Sequence, residues 1–400
     1  MKVCFETFGC RLNKAEALQQ EADYLAKGWE LTEKHSDADL FIVRGCSVTA
    51  RAQRDCEKLI DHLKRKYPAK PVHVEGCLEK RGVHPLPRAL HPFPATLADP
   101  PASDSVPMRT ARAYLKAQDG CSGKCTFCIV PHFRGPSKSV PFQELLDGAR
   151  RFIDAGYSEI VLTGCNLSLY ASDGKRLPEL VCALAGIAAG AEHPARIRIG
   201  SLEPGACALE TVHAMAGLRG VCRFLHIPVQ SGSDRILRAM RRDYTVSDVE
   251  ELAGAAVRLL PNLGLGCDLM TGFPDESELD FRATKGLLKR IPFSNAHIFP
   301  FSERPGTIAA GLIGSVNRTI RSQRAHSLAE LASAKRLKFA KRFIGRTVEV
   351  VSEQSSECSG WTAEYLYCRS VSPVPRKTLV KRLVTSVHRN AMLEGRVIPA

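Results

Sequence analysis

The sequence predicts an α/β protein in three parts: an N-terminal α/β domain, a central open (β/α) barrel and a small C-terminal antiparallel β-barrel. Three observations predict it. Strand-like and helix-like segments alternate from Arg109 to about residue 315. A proline-rich stretch at 84–108 separates them from an earlier α/β unit, and reads as an interdomain linker. Beyond residue 342 the helical period gives way to short β-branched and aromatic runs separated by turns. The expected boundaries are therefore 1–83, 84–108, 109–342 and 343–400.

In the first unit, residues 2–7 (KVCFET) are strand-like, and residues 15–27 place Ala15, Leu18, Ala22 and Leu25 at helical spacing. Residues 40–43 form a short buried strand, 50–66 a basic amphipathic helix and 72–75 another strand. Cys10, Cys46 and Cys77 each lie just after one of these strands. Loops at the carboxyl ends of parallel strands gather at one edge, so three cysteines far apart in sequence can converge. In the second unit the expected strands are 113–118, 159–163, 195–201, 224–229, 263–270 and 295–300, with helices such as 142–155 and 245–260 between them. Repeated βα units imply a parallel sheet whose active residues sit on the loops after the strands. Residues 318–342 are a basic helix that leads into the C-terminal runs.

Composition narrows the function. The chain has 400 residues, 44% hydrophobic and 24% charged, as expected of a globular protein. Its longest uncharged apolar run, 180–191, is too short to span a bilayer. With no secretory pattern at the N-terminus, a cytoplasmic protein is expected. The net charge is +14, and residues 318–400 hold 16 basic against 6 acidic residues, a surplus of ten. So localised a surplus points to a polyanion such as nucleic acid. Fifteen cysteines in such a chain point to metal or redox chemistry rather than disulfides.

The sharpest motif is Cys121-Ser-Gly-Lys-Cys125-Thr-Phe-Cys128, directly after the first barrel strand. A structural zinc site closes four ligands, and no suitably spaced fourth cysteine or histidine follows. Three thiolates suit a [4Fe-4S] cluster with one iron left open. The motif, with aromatic Phe127 before its last cysteine, resembles the radical S-adenosylmethionine superfamily. LKAQDGCSGKCTFCIVPHFRG, with TFGCRLN, RGCSVT and VEGCLEK, resembles the methylthiotransferases within it. EIVLTGCN, RIRIGSLEP, LHIPVQSGSDRILRAMRR, LGCDLMTGFPDES and HIFPFSERPGT extend the resemblance over essentially the whole chain. TFGCRLN and FPFSERPGT are most similar to the MtaB type, which methylthiolates C2 of N6-threonylcarbamoyladenosine at position 37, beside the tRNA anticodon. The C-terminal region resembles the RNA-binding TRAM domain.

The resemblance implies the following roles. Cys121, Cys125 and Cys128 hold the cluster that reduces S-adenosylmethionine to a 5′-deoxyadenosyl radical. Cys10, Cys46 and Cys77 hold a second [4Fe-4S] cluster that carries or supplies sulfur. Phe127 packs on the cofactor's adenine, or simply fills core. Gly164 and Asn166, Ser201 and Glu203, and Gln230 and Ser231 end successive strands and are cofactor-contact candidates. Arg134 pairs with a cofactor carboxylate or a tRNA phosphate. Trp361, Arg369, Lys377, Lys381 and Arg382 offer stacking and phosphate contacts to the tRNA anticodon stem-loop. An electron donor and a sulfur donor are implied partners, and no membrane. The remaining cysteines read as small apolar residues. Arg44-Gly45 before Cys46, and Cys165, depart from the family's usual residues. Alternatives are methylthiolation of isopentenyladenosine or of a ribosomal-protein aspartate, and, in another class, a non-catalytic RNA-binding iron–sulfur protein.

Overall fold

A computed structural model describes residues 1–78, 110–353, 359–370 and 374–398. The expected linker and Cys358 lie outside these residues. In the N-terminal unit, strands β1 (Lys2–Thr7), β2 (Glu30–Leu31), β3 (Leu40–Gly45) and β4 (Val72–Gly76) form a parallel sheet in the order β2-β1-β3-β4. β3 is buried along its whole length, as its run LFIVRG requires of a central strand. Helix α1 (Arg11–Ala26) begins directly after Cys10, four residues earlier than its apolar spacing suggests. Helix α2 (Ala50–Lys66) buries Cys56, Ile60 and Leu63 on one face and ends in Lys64, Arg65 and Lys66, favourable charges for a helix C-terminus. The edge strand β2 has only two residues and no legible alternation.

The central unit carries six parallel strands: β5 (Ala113–Lys116), β6 (Glu159–Thr163), β7 (Arg196–Ile199), β8 (Phe224–Gln230), β9 (Gly264–Thr271) and β10 (Asn295–Pro300). β7-β6-β5 and β8-β9-β10 form two ladders, joined by isolated bridges Ile197 to Val221 and Ser201 to His226. The result is the expected open barrel. Its helices are α3 (Val130–Arg134), α4 (Phe142–Asp154), α5 (Leu177–Ala189), α6 (Ala206–Ala216), α7 (Asp234–Ala239), α8 (Val246–Leu259), α9 (Glu278–Arg290) and α10 (Arg318–Lys341). The period of two along each strand divides two environments. Leu115, Ile160, Leu162, Ile197, Ile199, Leu225, Ile227 and Leu265 join the apolar core beneath the helices. Their alternates form the inner face. There Tyr114 and Val161 pack against Ala15 and Leu18, so α1 lies on the inner face of the open barrel.

The base of that face is ionic. Glu159, fully buried, accepts from Arg196 Nε at 2.7 Å and from Arg198 Nε at 2.7 Å. The same two guanidinium groups reach the last unit, a closed barrel of β11 (Thr347–Ser352), β12 (Gly360–Thr362), β13 (Tyr367–Arg369), β14 (Leu379–Val387) and β15 (Leu393–Val397). Arg196 donates to the carbonyls of Glu349 (3.0 Å) and Trp361 (2.8 Å), and Arg198 to that of Thr362 (2.8 Å). At the tip of the β12–β13 hairpin, Tyr365 stacks on Phe224 with ring centroids 4.6 Å apart. The hairpin therefore plugs the base of the open barrel.

Docking corrects several expectations for the C-terminal cations. Trp361 stacks on Tyr365 at 4.5 Å, and its indole N–H donates to Glu353 at 3.1 Å, so it belongs to the interdomain contact and not to an RNA-stacking surface. Lys377 sits 4.2 Å from the centre of the Tyr157 ring and donates to the Ala155 carbonyl at 3.3 Å. Arg382 points into the small barrel with no exposure. The alternation of β14 turns Arg382 inward with Val384 and leaves Lys381 exposed. Arg369 and Lys381 remain on the surface.

The base network gives a stability prediction. Burial opposes the Glu159 charge, yet Arg198 and Arg196 hold its carboxyl far below the usual range. Its contribution is full above the unfolded glutamate value of about 4.3 and is lost as pH falls through the lower folded value. Glu159→Gln leaves buried guanidinium charge uncompensated. It should cost about 3–5 kcal/mol near neutral pH, read as a lowered denaturation midpoint.

Candidate cluster and cofactor site

Cys10 stands between β1 and α1, Cys46 follows β3 and Cys77 follows β4, so the carboxyl ends of three parallel strands bring the triplet to one edge of the sheet. Gly9 (φ +92°) makes this possible: a Cβ there would lie 2.7 Å from Cys46 Sγ. Burial pushes the Cys46 thiol up to about 11, and the nearby Cys10 and Cys77 push in the same direction. Cys56 packs behind, its sulfur accepting from the Cys46 N–H at 3.4 Å.

The second triplet lies on the loop after β5. Burial raises the Cys128 thiol to about 12, with Cys125 and Cys121 adding to the shift. All six cysteines are free. Among the described residues, neither triplet brings its sulfurs within 4.8 Å of one another, as a single ion would require. Free thiols grouped loosely in threes fit a larger multi-iron cluster better than one tetrahedral ion.

A polar chain surrounds the second triplet. Gln118, fully buried, donates to the Gly120 carbonyl at 2.6 Å, and its Oε1 accepts from the Asn166 N–H at 2.9 Å. Asn166 Nδ2 donates to Glu203, and Glu203 pairs with Arg242. Arg242 Nη1 in turn donates to Cys125 Sγ at 3.0 Å. Loops after three strands are thus tied to one thiol, with Asn166 and Glu203 placed as the sequence suggests. Gln118 and Arg242 were not singled out, although both lie inside the quoted motifs. Gln230 has φ +64° and a buried Oε1 without a partner among the described residues, a polar atom that a bound cofactor would satisfy. Ser201 is exposed at the end of its strand.

Three further candidates have local structural contacts. Ser231 is fully buried, with its Oγ accepting from the Ser233 N–H at 3.2 Å and lying 3.3 Å from Thr284 Oγ1; it holds the turn after β8. Phe127, half-buried, packs against the cluster formed by Ile236, Met240, Met270 and Phe273. At Gly164 an added Cβ would meet Gln118 Oε1 at 3.0 Å, so the glycine makes room for that side chain.

The two triplets face one another. Cys77 packs with Ile129 and Phe133, next to Cys128. Arg134 is buried and is not a phosphate contact: its Nη1 donates to Glu16 Oε1 at 2.8 Å and Asp119 Oδ1 at 3.0 Å, and its Nη2 to Asn13 Oδ1 at 2.9 Å and Glu16 Oε2 at 3.2 Å. Burial would raise the Glu16 carboxyl, but Arg134, Lys116 and Arg44 hold it below its ordinary value. Arg304, in the FPFSERPGT segment, adds a second tie by donating to the Ser47 carbonyl at 2.7 Å and to Gln53 at 2.6 Å. Cys165, read as a small apolar residue, lies beside Asp119 Oδ1 at 3.8 Å, between the triplets.

The family model described as "Radical SAM superfamily" matches residues 115–288, and that described as "Uncharacterized protein family UPF0004" matches residues 2–90. The Threonylcarbamoyladenosine tRNA methylthiotransferase MtaB of Aquifex aeolicus (strain VF5) is 30% identical over 384 residues, covering 88% of this chain and 92% of that protein. The chain belongs to the radical S-adenosylmethionine methylthiotransferase family. The like-named protein of Bacillus subtilis (strain 168) is 29% identical over 394 residues, covering 88% of this chain and 85% of that one. A tRNA-2-methylthio-N(6)-dimethylallyladenosine synthase of Christiangramia forsetii (strain DSM 17595 / CGMCC 1.15422 / KT0803) is 30% identical over 408 residues, covering 90% and 85%. In fold, the chain is similar to the radical S-adenosylmethionine methyltransferase TsrM from Kitasatospora setae, solved with cobalamin and a [4Fe-4S] cluster bound. That likeness has a TM-score of 0.57 at 13% identity and covers 77% of each chain. The family's cofactors are S-adenosylmethionine and two [4Fe-4S] clusters, and the two thiol triplets fit them. No helix among the described residues is long and apolar enough to cross a membrane.

Anaerobic reconstitution should give about eight iron atoms per chain, four per cluster. Replacing Cys121, Cys125 and Cys128 together by Ala should leave about four, as should replacing Cys10, Cys46 and Cys77. Cys56→Ala, which removes only a packing sulfur, should keep about eight. Iron analysis of the four proteins checks the assignment.

Proposed function

We propose that this methylthiotransferase acts on tRNA, adding a methylthio group to C2 of N6-threonylcarbamoyladenosine beside the anticodon. The observation that carries the reading is the pair of thiol triplets facing one another across the interdomain contact. The relatives whose names specify threonylcarbamoyladenosine support the choice of base. Cys121, Cys125 and Cys128 are the ligands for the cluster next to S-adenosylmethionine, and Cys10, Cys46 and Cys77 those for the sulfur-handling cluster. When bound, these groups supply one-electron chemistry on the cofactor together with the sulfur and methyl groups. An aromatic C–H at C2 is a poor acid, so no general base is asked of the protein.

The chain's own residues position and exclude. Arg242 places a cation against Cys125 and holds Glu203 and, through it, Asn166 at the strand ends. Gln230 offers its unpartnered oxygen to the cofactor. Arg134 fixes the auxiliary triplet relative to the loop of the first. Cys46 and Cys77 are buried and the second triplet is half-buried, which limits access of water and oxidants to reactive species. Arg369 and Lys381 remain as phosphate contacts to the anticodon stem-loop. An external electron donor and a sulfur donor complete the reaction.

The reconstituted enzyme, given reductant, S-adenosylmethionine and tRNA bearing threonylcarbamoyladenosine, should yield the 2-methylthio nucleoside in a mass spectrum of the digest. Acceptance of dimethylallyladenosine alone would hand the reading to the runner-up, to which several relatives belong by name. With Cys10, Cys46 and Cys77 all replaced by Ala, some 5′-deoxyadenosine should still form while thiomethylation stops. A folded variant unable to form 5′-deoxyadenosine would refute this division of labour.

The surface cations give a separate test. Lys381→Ala should weaken tRNA binding and flatten the dependence of log affinity on log salt by roughly 0.7–0.9, the share of one phosphate contact. An unchanged slope in salt titrations would remove Lys381 from the interface.

A further inference from the structure

The inner face of the open barrel is lined by guanidinium groups, and nearly all have protein partners. Arg112 pairs with Glu353 at 2.8 Å, and Arg196 and Arg198 with Glu159. Arg336 donates to Asn295 Oδ1 at 2.6 Å. The two imidazoles of the face, His226 and His297, flank Asp268 at 3.0 and 3.5 Å. Arg11 differs. It follows Cys10 directly, is half-buried, and leaves the start of α1 toward the base of the barrel, where its Cζ stands 5.5 Å from the centre of the Tyr365 ring. Among the described residues no carboxylate pairs with it. A partly desolvated cation held by one tyrosine, through its ring and a side-chain hydrogen bond, with no carboxylate counter-ion among the described residues, is a site for an anion.

The competing substrates differ in that respect. A dimethylallyl group is apolar and would leave Arg11 half-buried beside hydrocarbon. A threonylcarbamoyl group ends in a carboxylate, which a guanidinium can take with two parallel hydrogen bonds. We propose that Arg11 is a specificity-determining residue that binds the threonine carboxylate of the target nucleoside, with Tyr365 holding the guanidinium from behind. The proposal rests on the reading of threonylcarbamoyladenosine as substrate. It places recognition of the modified base on the residue next to an auxiliary-cluster ligand, so that the substituent that qualifies a tRNA is checked beside the sulfur-handling group.

The test uses the reconstituted full chain and two anticodon stem-loops, one with threonylcarbamoyladenosine and one with its carboxylate capped as a methyl amide. For the unaltered enzyme the cap should raise KM about 10- to 100-fold, the effect of losing a charge-assisted hydrogen bond. Arg11→Gln should raise KM for the uncapped substrate by a similar factor and leave the capped substrate's KM nearly where it was. Arg11→Lys should restore part of the loss, because it keeps the charge without the fork. If the two losses multiply, Arg11 and the carboxylate do not meet and the proposal is wrong. If the unaltered enzyme ignores the cap while Arg11→Gln weakens both substrates, the cation meets an RNA phosphate, which also overturns it. Should Arg11→Gln lose iron, the comparison is made on Arg11→Lys, whose penalty must be confined to the uncapped substrate. An unaltered enzyme that modifies only a dimethylallyladenosine stem-loop would instead sink the functional reading, and this proposal with it.

Discussion

Two cysteine triplets more than forty positions apart in sequence must face one gap, and a buried ion pair, seconded by Arg304, fixes how they do so. Glu16 lies one turn into the helix that follows Cys10, and Arg134 lies six residues after Cys128. Their bidentate contact, at 2.8 and 3.2 Å, joins the two loops where the triplets sit. A carboxylate so buried is stable only with strong compensation. Glu16 receives it from both sides: Arg44 at 3.0 Å from its own domain, and Arg134 and Lys116 from the other. The departure at Arg44-Gly45 finds its meaning here. Arg44 is buried, and it also bonds Gln20 and Glu75 at 2.8 and 2.7 Å, so it anchors the domain's half of the contact.

The same logic governs the other end of the barrel. An open parallel sheet has an inner face that its own helices cannot cover. Here α1 covers one part with Ala15 and Leu18, and the C-terminal hairpin closes the base through Tyr365. The inner face can then be ionic because both visitors bring partners: Glu16 for Lys116, and backbone carbonyls for Arg196 and Arg198. A charge-rich interior is stable only while its fully buried charges stay paired. The small C-terminal barrel is thus structural for the catalytic unit, and its removal would expose Arg196, Arg198 and Glu159 together.

Much of this was legible in the sequence, and the boundary of legibility is physical. The six barrel strands and helix α2 followed from period and turn residues, because burial on one face leaves a local pattern. The triplets followed from loops that share an edge. Ion pairs leave no such pattern. ARIRI reads as a strand, but nothing in it says that Arg196 and Arg198 bury against Glu159, 37 and 39 positions earlier. The C-terminal cations were misread for a related reason. A surplus of ten charges locates a domain's character but not which side chains stay wet. Strand alternation turned Arg382 inward, and docking on Tyr157 occupied Lys377. Arg242 was hidden inside RAMRR, where only the fold decides that it meets Cys125.

Placing the cationic chain beside the second triplet has a chemical consequence. Thiolates of a partly buried cluster concentrate negative charge, and a donor aimed at one sulfur stabilises the more reduced state relative to the oxidised one. With a cluster held at this triplet, Arg242 would do this at Cys125 while its charge is balanced by Glu203, so the balance sits one bond away from the sulfur rather than on it. Asn166, held by Glu203, connects that balance to the strand-end loops where an amino-acid moiety would lie. A ligand that displaced Glu203 from Arg242 would change the field at Cys125 directly. The arrangement therefore links the strand ends to the cluster loop through contiguous hydrogen bonds.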